Sequence, residues 1–278
     1  MTERLSIGYS PCPNDTYIFY GLAHHKILLP NISLATPRLE DVETLNRLAM
    51  EKKLDITKLS FHALGHVLDE YCVLSAGSAL GRGCGPLLVA RPGFDPECLE
   101  DATVAIPGKF TTANMLFRLY SPAATNLREM RFDTIMQAVL KKEVDVGVII
   151  HESRFTYAEQ GLICLQDLGQ WWEQVSGHPI PLGCIAARRS LGKEKIEAID
   201  RAIQQSILCA DSHPADCITY MQEHAQEMDK DVMQNHIGLY VNEYSRELGS
   251  EGLAAIESFL ERGRAAGILP QSTQTPMC

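Results

Sequence analysis

The sequence predicts an α/β protein with two lobes, a ligand cleft between them and a helical C-terminal segment. Short apolar runs alternate with helical patterns along most of the chain, which is typical of strand–helix units in a parallel sheet. The pattern restarts after a stretch rich in proline, glycine and acids that begins near Arg91. The chain also has 278 residues, more than one hydrophobic core usually serves.

The first series of elements predicts the first lobe. Its strands are the apolar runs at 5–10, 32–37 and 54–60, and a further run that begins at Cys72. Its helices are expected at 15–23, at 41–52 and directly after Ser60. Asn14 has the position and side chain of an N-cap for the first of these helices.

The second series predicts an inserted lobe, after which the chain returns to the first. Its strands are the runs at 103–108, 144–150 and 162–169. The chain is expected to return to lobe 1 through the stretch 183–192. From Lys193 to about Gly267 the pattern is helical throughout. These patterns assign 1–92 and 190–278 to lobe 1 and 93–189 to lobe 2. Two lobes joined by two crossings enclose a cleft with a hinge.

Composition excludes several classes of function. The formal net charge of -10 argues against a nucleic-acid partner, because phosphate neutralisation needs clustered Lys and Arg. No apolar run approaches the roughly 20 residues of a membrane span, and the N-terminus lacks a secretory pattern, so we expect a cytoplasmic protein. The nine cysteines lack C-x-x-C and zinc spacing, which predicts reduced thiols packed as small hydrophobes and no metal.

Candidate site residues lie at the junctions where a strand ends and a helix begins. Ligands of open α/β sheets bind beyond the carboxyl ends of the strands. The first junction, SPCPNDT, places two prolines around Cys12 and offers Asn14, Asp15 and free N–H groups to a polar ligand. A rigid turn with a plain N-cap is the alternative. At the second junction the Ser60 hydroxyl either binds a ligand or caps the next helix.

The third junction, IPGKFTTA, combines a glycine turn with a hydroxyl pair at a helix start. Thr111, Thr112 and Ala113 suit a carboxylate there, although a simple cap is equally well supported. The spacing of a phosphate loop fails, because Phe follows Lys109. No dinucleotide motif is present either, so the predicted chemistry is acid–base without a cofactor.

The fourth junction gives the catalytic candidate, His151, which directly follows an apolar strand and opens a helix. The positive end of the helix dipole predicts a neutral imidazole at pH 7, suited to a general base. A structural role for such a histidine is the alternative. His236 has surface-like neighbours, and His178 lies in a loop that borders the expected cleft. Cys12 is assigned to packing, since nothing in the sequence activates it.

Five stretches together carry a family resemblance: SPCPNDTYIF, KLSFHAL, GSALGRGCGPLLV, IPGKFTTANMLFRLY and VGVIIHESRFTY. They resemble the 1,4-dihydroxy-6-naphthoate synthase (MqnD) family of the futalosine route to menaquinone, in order from Ile7 to Gly183. The resemblance implies a fold like that of type II periplasmic binding proteins. It also implies that His151 is the proposed general base and that Ser60, Thr112 and Ala113 contact the ligand.

The resemblance further implies a carbon–carbon lyase that converts cyclic de-hypoxanthine futalosine to 1,4-dihydroxy-6-naphthoate and a sugar-derived fragment. Such a small-molecule substrate fits the junctions: the helix start at Thr111 offers donors to its carboxylate, and SPCPNDT forms a rigid wall of the cleft. Three alternatives remain open, namely the chorismate dehydratase of the same pathway, a non-enzymatic binding protein of this fold, and an intracellular ligand sensor. The sequence does not indicate the oligomeric state.

Overall fold

The computed structural model describes residues 3–224 and 230–278. The strands are β1 (Glu3–Leu5), β2 (Ile7–Tyr9), β3 (Ile32–Leu34), β4 (Arg38–Leu39), β5 (Ile56–Ser60), β6 (Tyr71–Val73), β7 (Ala79–Gly81), β8 (Leu87–Ala90), β9 (Val104–Ile106), β10 (Leu127–Glu129), β11 (Val146–Ile149), β12 (Ile163–Asp167) and β13 (Ile180–Arg188). The helices are α1 (Pro13–Ala23), α2 (Val42–Met50), α3 (Phe61–Val67), α4 (Thr112–Tyr120), α5 (Ile135–Leu140), α6 (Ser153–Thr156), α7 (Leu168–Ser176), α8 (Lys193–Ser212), α9 (Pro214–His224), α10 (Lys230–Tyr240), α11 (Glu243–Arg246) and α12 (Gly249–Ala265).

Two sheets form the centres of two lobes. The sheet of lobe 1 has the strand order β4-β2-β5-β13-β6, with β7 paired to β13, and the sheet of lobe 2 has the order β10-β9-β11-β8-β12. In each sheet the strands that precede helices run parallel, as β2 does to β5 and β9 does to β11. The two-lobe α/β architecture predicted from the sequence is therefore confirmed.

Both sheets are mixed, so the prediction of parallel sheets is wrong for two strands. β13 runs antiparallel to β5, and β8 runs antiparallel to β11. The reason is that β8 and β13 are the first strands after each crossing between the lobes. They enter their sheets at the cleft, where the neighbouring strands end, and so point the opposite way.

The crossings lie earlier in the chain than the predicted boundaries at 92/93 and 189/190. β7 belongs to the sheet of lobe 1 and β8 to that of lobe 2, so the first crossing is at 82–86. The return lies at 177–179, between α7 and β13. The proline and glycine run that suggested a boundary near Arg91 is a loop within lobe 2. The glycine-rich segment that contains Gly83 and Gly85 lies in the actual crossing.

The helical C-terminal segment packs on lobe 1, as expected. α8 lies against α1 over a cluster that includes Ile18, Ile185 and Ile203. α12 packs against α3 and β13. A second, larger cluster continues from lobe 1 into lobe 2 and contains Leu59 and Val148. The lobes therefore share one apolar core behind the cleft, and burial of that core fixes their relative position.

One pair of cysteines contradicts the expectation of reduced thiols. Cys72 on β6 forms a disulfide with Cys278. Beside it the Val73 N–H donates to the Pro276 carbonyl at 2.9 Å, so the last residues of the chain add a short bridge to β6. No local pattern predicts this pair, because its members are 206 residues apart. Within the described ranges, no helix is both long and apolar enough to cross a membrane.

Candidate active site

The strand–helix junctions of both lobes open onto one cleft, whose empty space together with the adjoining open solvent is about 700 Å³. All seven candidate residues from the sequence line it: Asn14, Asp15, Ser60, Thr111, Thr112, Ala113 and His151. The structure adds polar residues that the sequence did not single out: Lys58, His236 and Tyr240. His178 is not among the lining residues, so the placement of its loop at the cleft is not supported.

The SPCPNDT turn supplies one wall of the cleft, but not by the capping predicted for it. α1 begins at Pro13, and its N-cap is Cys12, which makes no side-chain cap bond. Asn14 is therefore a first-turn residue rather than the cap. Proline suits the first helical position because its φ is fixed and its missing N–H has no partner to lose. As a result the side chains of Asn14 and Asp15 are buried at the cleft, 6% and 1% exposed.

Asp15 is the centre of a buried hydrogen-bond network. Its carboxylate accepts from the Ser10 N–H at 3.0 Å, from the Asn14 side-chain amide at 2.8 Å and from the Lys58 ammonium. Lys58 and Asp15 are both buried, and such a pair persists only when its remaining polar atoms are also satisfied. Because its oxygens are engaged, Asp15 orients the cleft residues instead of offering a free carboxylate. Lys58 contributes a fixed positive charge to the cleft.

His151 follows β11 in a left-handed conformation with φ 57. Burial lowers the pKa of this imidazole, but the neighbouring Cys12, Glu152 and Asp15 outweigh burial and raise it to about 9. The raised pKa favours the protonated ring, which is the opposite direction from the neutral imidazole expected from the sequence. The helix dipole does not prevent this, because α6 has only four residues.

His236 on α10 faces His151 across the cleft. The two rings are nearly parallel, with 17° between their planes and 6.0 Å between their centroids. His236 is 1% exposed, so the surface position predicted for it is wrong. The sequence did contain a signal: Met233, His236 and Tyr240 recur at the spacing of one helix face, and all three are buried. Burial, together with the charges of His151 and Lys58, lowers the pKa of His236 well below its usual value.

The start of α4 combines a cap with two free donors. Thr111 caps the helix, because its hydroxyl accepts from the Asn114 N–H at 3.2 Å and donates to the Gly108 carbonyl at 2.9 Å. The capping alternative is thus confirmed for Thr111. The N–H groups of Thr112 and Ala113 lie in the first turn, where a helix provides no acceptor, and both residues line the cleft.

Ser60 ends β5 and occupies the N-cap position of α3 without making a cap bond. Its hydroxyl oxygen instead accepts from the Asn46 amide at 3.2 Å, and its N–H donates to the Asn46 side-chain oxygen at 2.9 Å. The capping alternative is therefore wrong for Ser60. This pairing leaves the hydroxyl proton of Ser60 for a partner in the cleft.

Hydrogen bonds at the start of α4 join the lobes beside the cleft. The Thr112 hydroxyl donates to the Leu182 carbonyl of β13 at 2.6 Å, and His62 Nδ1 donates to the Thr111 carbonyl at 3.0 Å. The Phe110 N–H donates to the Glu43 carboxylate at 3.0 Å. Burial raises the pKa of Glu43 to about 6. Each bond ends within two residues of Thr112, so the position of the α4 start depends on contacts with lobe 1.

The cleft contains acids, bases and donors but, in the part of the chain that the structure describes, no group of three metal-ligating side chains. What the arrangement can do is hold an anionic small molecule between Lys58 and the α4 start, and transfer protons at its two imidazoles.

The two lobes form an α/β fold of the periplasmic-binding-protein type. The structure is similar to that of an alkanesulfonate-binding protein from Xanthomonas axonopodis pv. citri bound to MOPS, with a TM-score of 0.73 over 98% of this chain and 96% of that one. The sequence identity is 12%, so this likeness concerns the fold alone.

The chain belongs to the menaquinone biosynthesis family, whose model matches residues 5–265. A Thermus thermophilus protein named 1,4-dihydroxy-6-naphthoate synthase is 47% identical over 270 residues, covering 97% of each chain. A Streptomyces coelicolor protein of the same name is 43% identical over 273 residues, covering 96% of this chain and 95% of that one. The family resemblance found in the sequence is thereby confirmed, and the protein is an enzyme of menaquinone biosynthesis.

Proposed function

We propose that the enzyme is a carbon–carbon lyase that converts cyclic de-hypoxanthine futalosine to 1,4-dihydroxy-6-naphthoate without a cofactor. The observation that carries the proposal is the convergence of all four junctions, and of all seven residues chosen at them, on one cleft. The names of the two relatives support the product. A cytoplasmic location, expected from the sequence, is part of the same proposal.

The substrate's carboxylate is the group that the cleft recognises most directly. The N–H groups of Thr112 and Ala113 lie at the N-terminus of α4, which is the positive end of its helix dipole. The Lys58 ammonium supplies a formal positive charge. The Ser60 hydroxyl adds one donor for a polar substituent. These groups stabilise the anion with hydrogen bonds and charge but cannot remove a proton from carbon. The acid–base work therefore falls to the histidines.

The reaction needs a proton removed from a carbon beside a ketone, and His151 is the acid–base residue proposed for it. Its raised pKa means that the imidazole enters the reaction protonated at pH 7. It donates this proton to the ketone oxygen, which is the acid half of the acid–base step. Positioned general acid–base catalysis is typically worth about 10²–10⁴-fold in rate.

The test is to incubate the purified protein with cyclic de-hypoxanthine futalosine and follow naphthoate by HPLC. Release of 1,4-dihydroxy-6-naphthoate supports the lyase. Binding by calorimetry without release identifies a binding protein of the same fold. Absence of both, with turnover of chorismate instead, identifies the dehydratase and rejects the proposal.

A further inference from the structure

We propose that His236 is a second catalytic residue, whose bare Nδ1 accepts the proton from the substrate carbon while His151 protonates the adjacent ketone oxygen. This inference rests on the proposed function and deepens it, because it divides the acid and the base of that reaction between two stacked imidazoles. The hydrogen-bond network of Asp15 and Asn14 extends to His236.

The network fixes which nitrogen of His236 carries hydrogen. The Asn14 amide nitrogen donates to the Asp15 carboxylate at 2.8 Å, which orients the Asn14 oxygen towards His236. His236 Nε2 lies 3.0 Å from that oxygen, and a carbonyl oxygen only accepts. Nε2 is therefore the protonated nitrogen, and Nδ1 has a free lone pair. Asp15 itself is fixed by Lys58 and Ser10, so the chosen tautomer depends on a rigid chain of contacts.

The free nitrogen has no partner in the described part of the structure. Nδ1 of His236 is buried and makes no hydrogen bond. An unpaired buried acceptor costs about 1–3 kcal/mol, so a folded protein keeps one only for a reason. His236 lines the cleft beside His151, and under this proposal the missing partner of Nδ1 is a hydrogen atom of the substrate.

The charges around the pair favour one imidazole as acid and the other as base. His151 is surrounded by Cys12, Glu152 and Asp15, which stabilise its positive charge. His236 faces the cations of His151 and Lys58, with the Tyr240 ring 4.6 Å away on its own helix, and these surroundings disfavour a second positive charge. The two adjacent histidines thus carry a single positive charge, and its place is on His151.

The proton transfers balance. The substrate C–H proton bonds to Nδ1 of His236, and its electron pair forms the new C=C bond of the enol. The π electrons of the ketone take a proton from His151, which becomes neutral as His236 becomes positive. The pair keeps a total charge of +1, and no other reactant is needed. The enol hydroxyl stays in the dihydroxy product. When the carbon–carbon bond breaks, a hydroxyl proton of the leaving fragment passes to His151 as the carbonyl of that fragment forms, and the electron pair of the broken bond takes the proton of His236.

The decisive experiment compares three variants with the wild type: His236→Ala, His236→Gln, and the control His178→Gln, which changes a histidine outside the cleft lining. Naphthoate release is measured by HPLC, binding of 1,4-dihydroxy-6-naphthoate by calorimetry, and folding by thermal melting. We expect both His236 variants to lose about 10²–10⁴-fold in kcat while still binding the product. Imidazole and its ring-substituted analogues should restore His236→Ala, more strongly as their pKa rises.

The outcomes separate the inference from the proposed function. Folded His236 variants with near wild-type kcat overturn the role of His236 and leave the lyase intact. A loss of kcat that imidazoles do not restore in order of pKa, with product binding lost as well, also overturns it, because His236 is then structural. If the wild type releases no naphthoate, the proposed function fails and the inference fails with it.

Discussion

The Phe110 N–H of lobe 2 donates to the carboxylate of Glu43 in lobe 1, across 3.0 Å at the edge of the cleft. Glu43 is 7% exposed, and its side chain fills the space beside Gly108, where an added Cβ would come within 2.7 Å of it. One buried carboxyl therefore sets the turn that leads into α4. This contact makes the joint between the lobes sensitive to pH.

Glu43→Gln tests that sensitivity. Burial raises the pKa of Glu43 from 4.5 to about 6, so the folded protein binds this proton more tightly than the unfolded chain does. The resulting stabilisation is full below pH 4.5 and is lost as the pH rises through 6. We expect the wild type to gain up to about 2 kcal/mol more than Glu43→Gln between pH 7 and pH 4.5. Urea unfolding at both pH values measures it, and equal pH responses in the two proteins would contradict it.

His151→Asn tests the acid–base residue without disturbing its backbone. Asn tolerates the left-handed conformation of residue 151 better than Ala does, so the loss of the imidazole is isolated. We expect kcat to fall by about 10²–10⁴-fold and product affinity to stay near wild type. Since the protonated form with a pKa of about 9 is required first, wild-type kcat/KM should decline above pH 9. A variant that keeps this decline would show that another group titrates.

Lys58→Met separates the charge in the cleft from the stability of the network. Removing one partner of a buried pair costs about 3–5 kcal/mol, because Asp15 is left charged and unpaired. The double change Lys58→Met with Asp15→Asn should recover much of that loss in urea unfolding. It should not recover the KM for the carboxylated substrate, because the ammonium is still missing. Recovery of both properties together would mean that Lys58 does not contact substrate.

Ala113→Asp places a negative charge where the substrate carboxylate is proposed to bind. The side chain of Ala113 is 3% exposed and lines the cleft at the second residue of α4. An acid there competes for the helix start and repels the substrate, so KM should rise far more than the melting temperature falls. Steady-state kinetics and thermal melting are compared on the same preparation. An unchanged KM in a folded variant removes the carboxylate from this position.

Cys278→Ser tests the disulfide to Cys72. The bridge spans 206 residues, and the chain-entropy model gives at most about 5 kcal/mol for such a loop. Dithiothreitol should lower the melting temperature of the wild type and leave that of Cys278→Ser unchanged. Disulfides are rare in the reducing cytoplasm, so a wild type insensitive to reductant would favour free thiols and the proposed location.

The fold was predictable because its information is local. Buried strands such as β5 and β11 appear as short apolar runs, and the junction residues Ser60, Thr111 and His151 follow them directly. The strand directions of β8 and β13 were not predictable, because they depend on where the chain crosses between the lobes. His236 was missed for a related reason: its partners Asn14 and His151 are distant in sequence, and only the packed fold brings them together.

The charge state of His151 depended on the same distant contacts. The sequence placed it at a helix start, which argued for a neutral ring. In the fold, Cys12 and Asp15 of the SPCPNDT turn in lobe 1 lie near His151 and raise its pKa. Local patterns thus identify the catalytic candidate but do not determine its protonation state.

The two crossings between the lobes also form part of the cleft lining. Gly85 and Pro86 end the first crossing, and Leu182 and Gly183 follow the second. These two segments therefore belong both to the connection between the lobes and to the ligand site. A substitution that bends either segment changes the shape of the site directly.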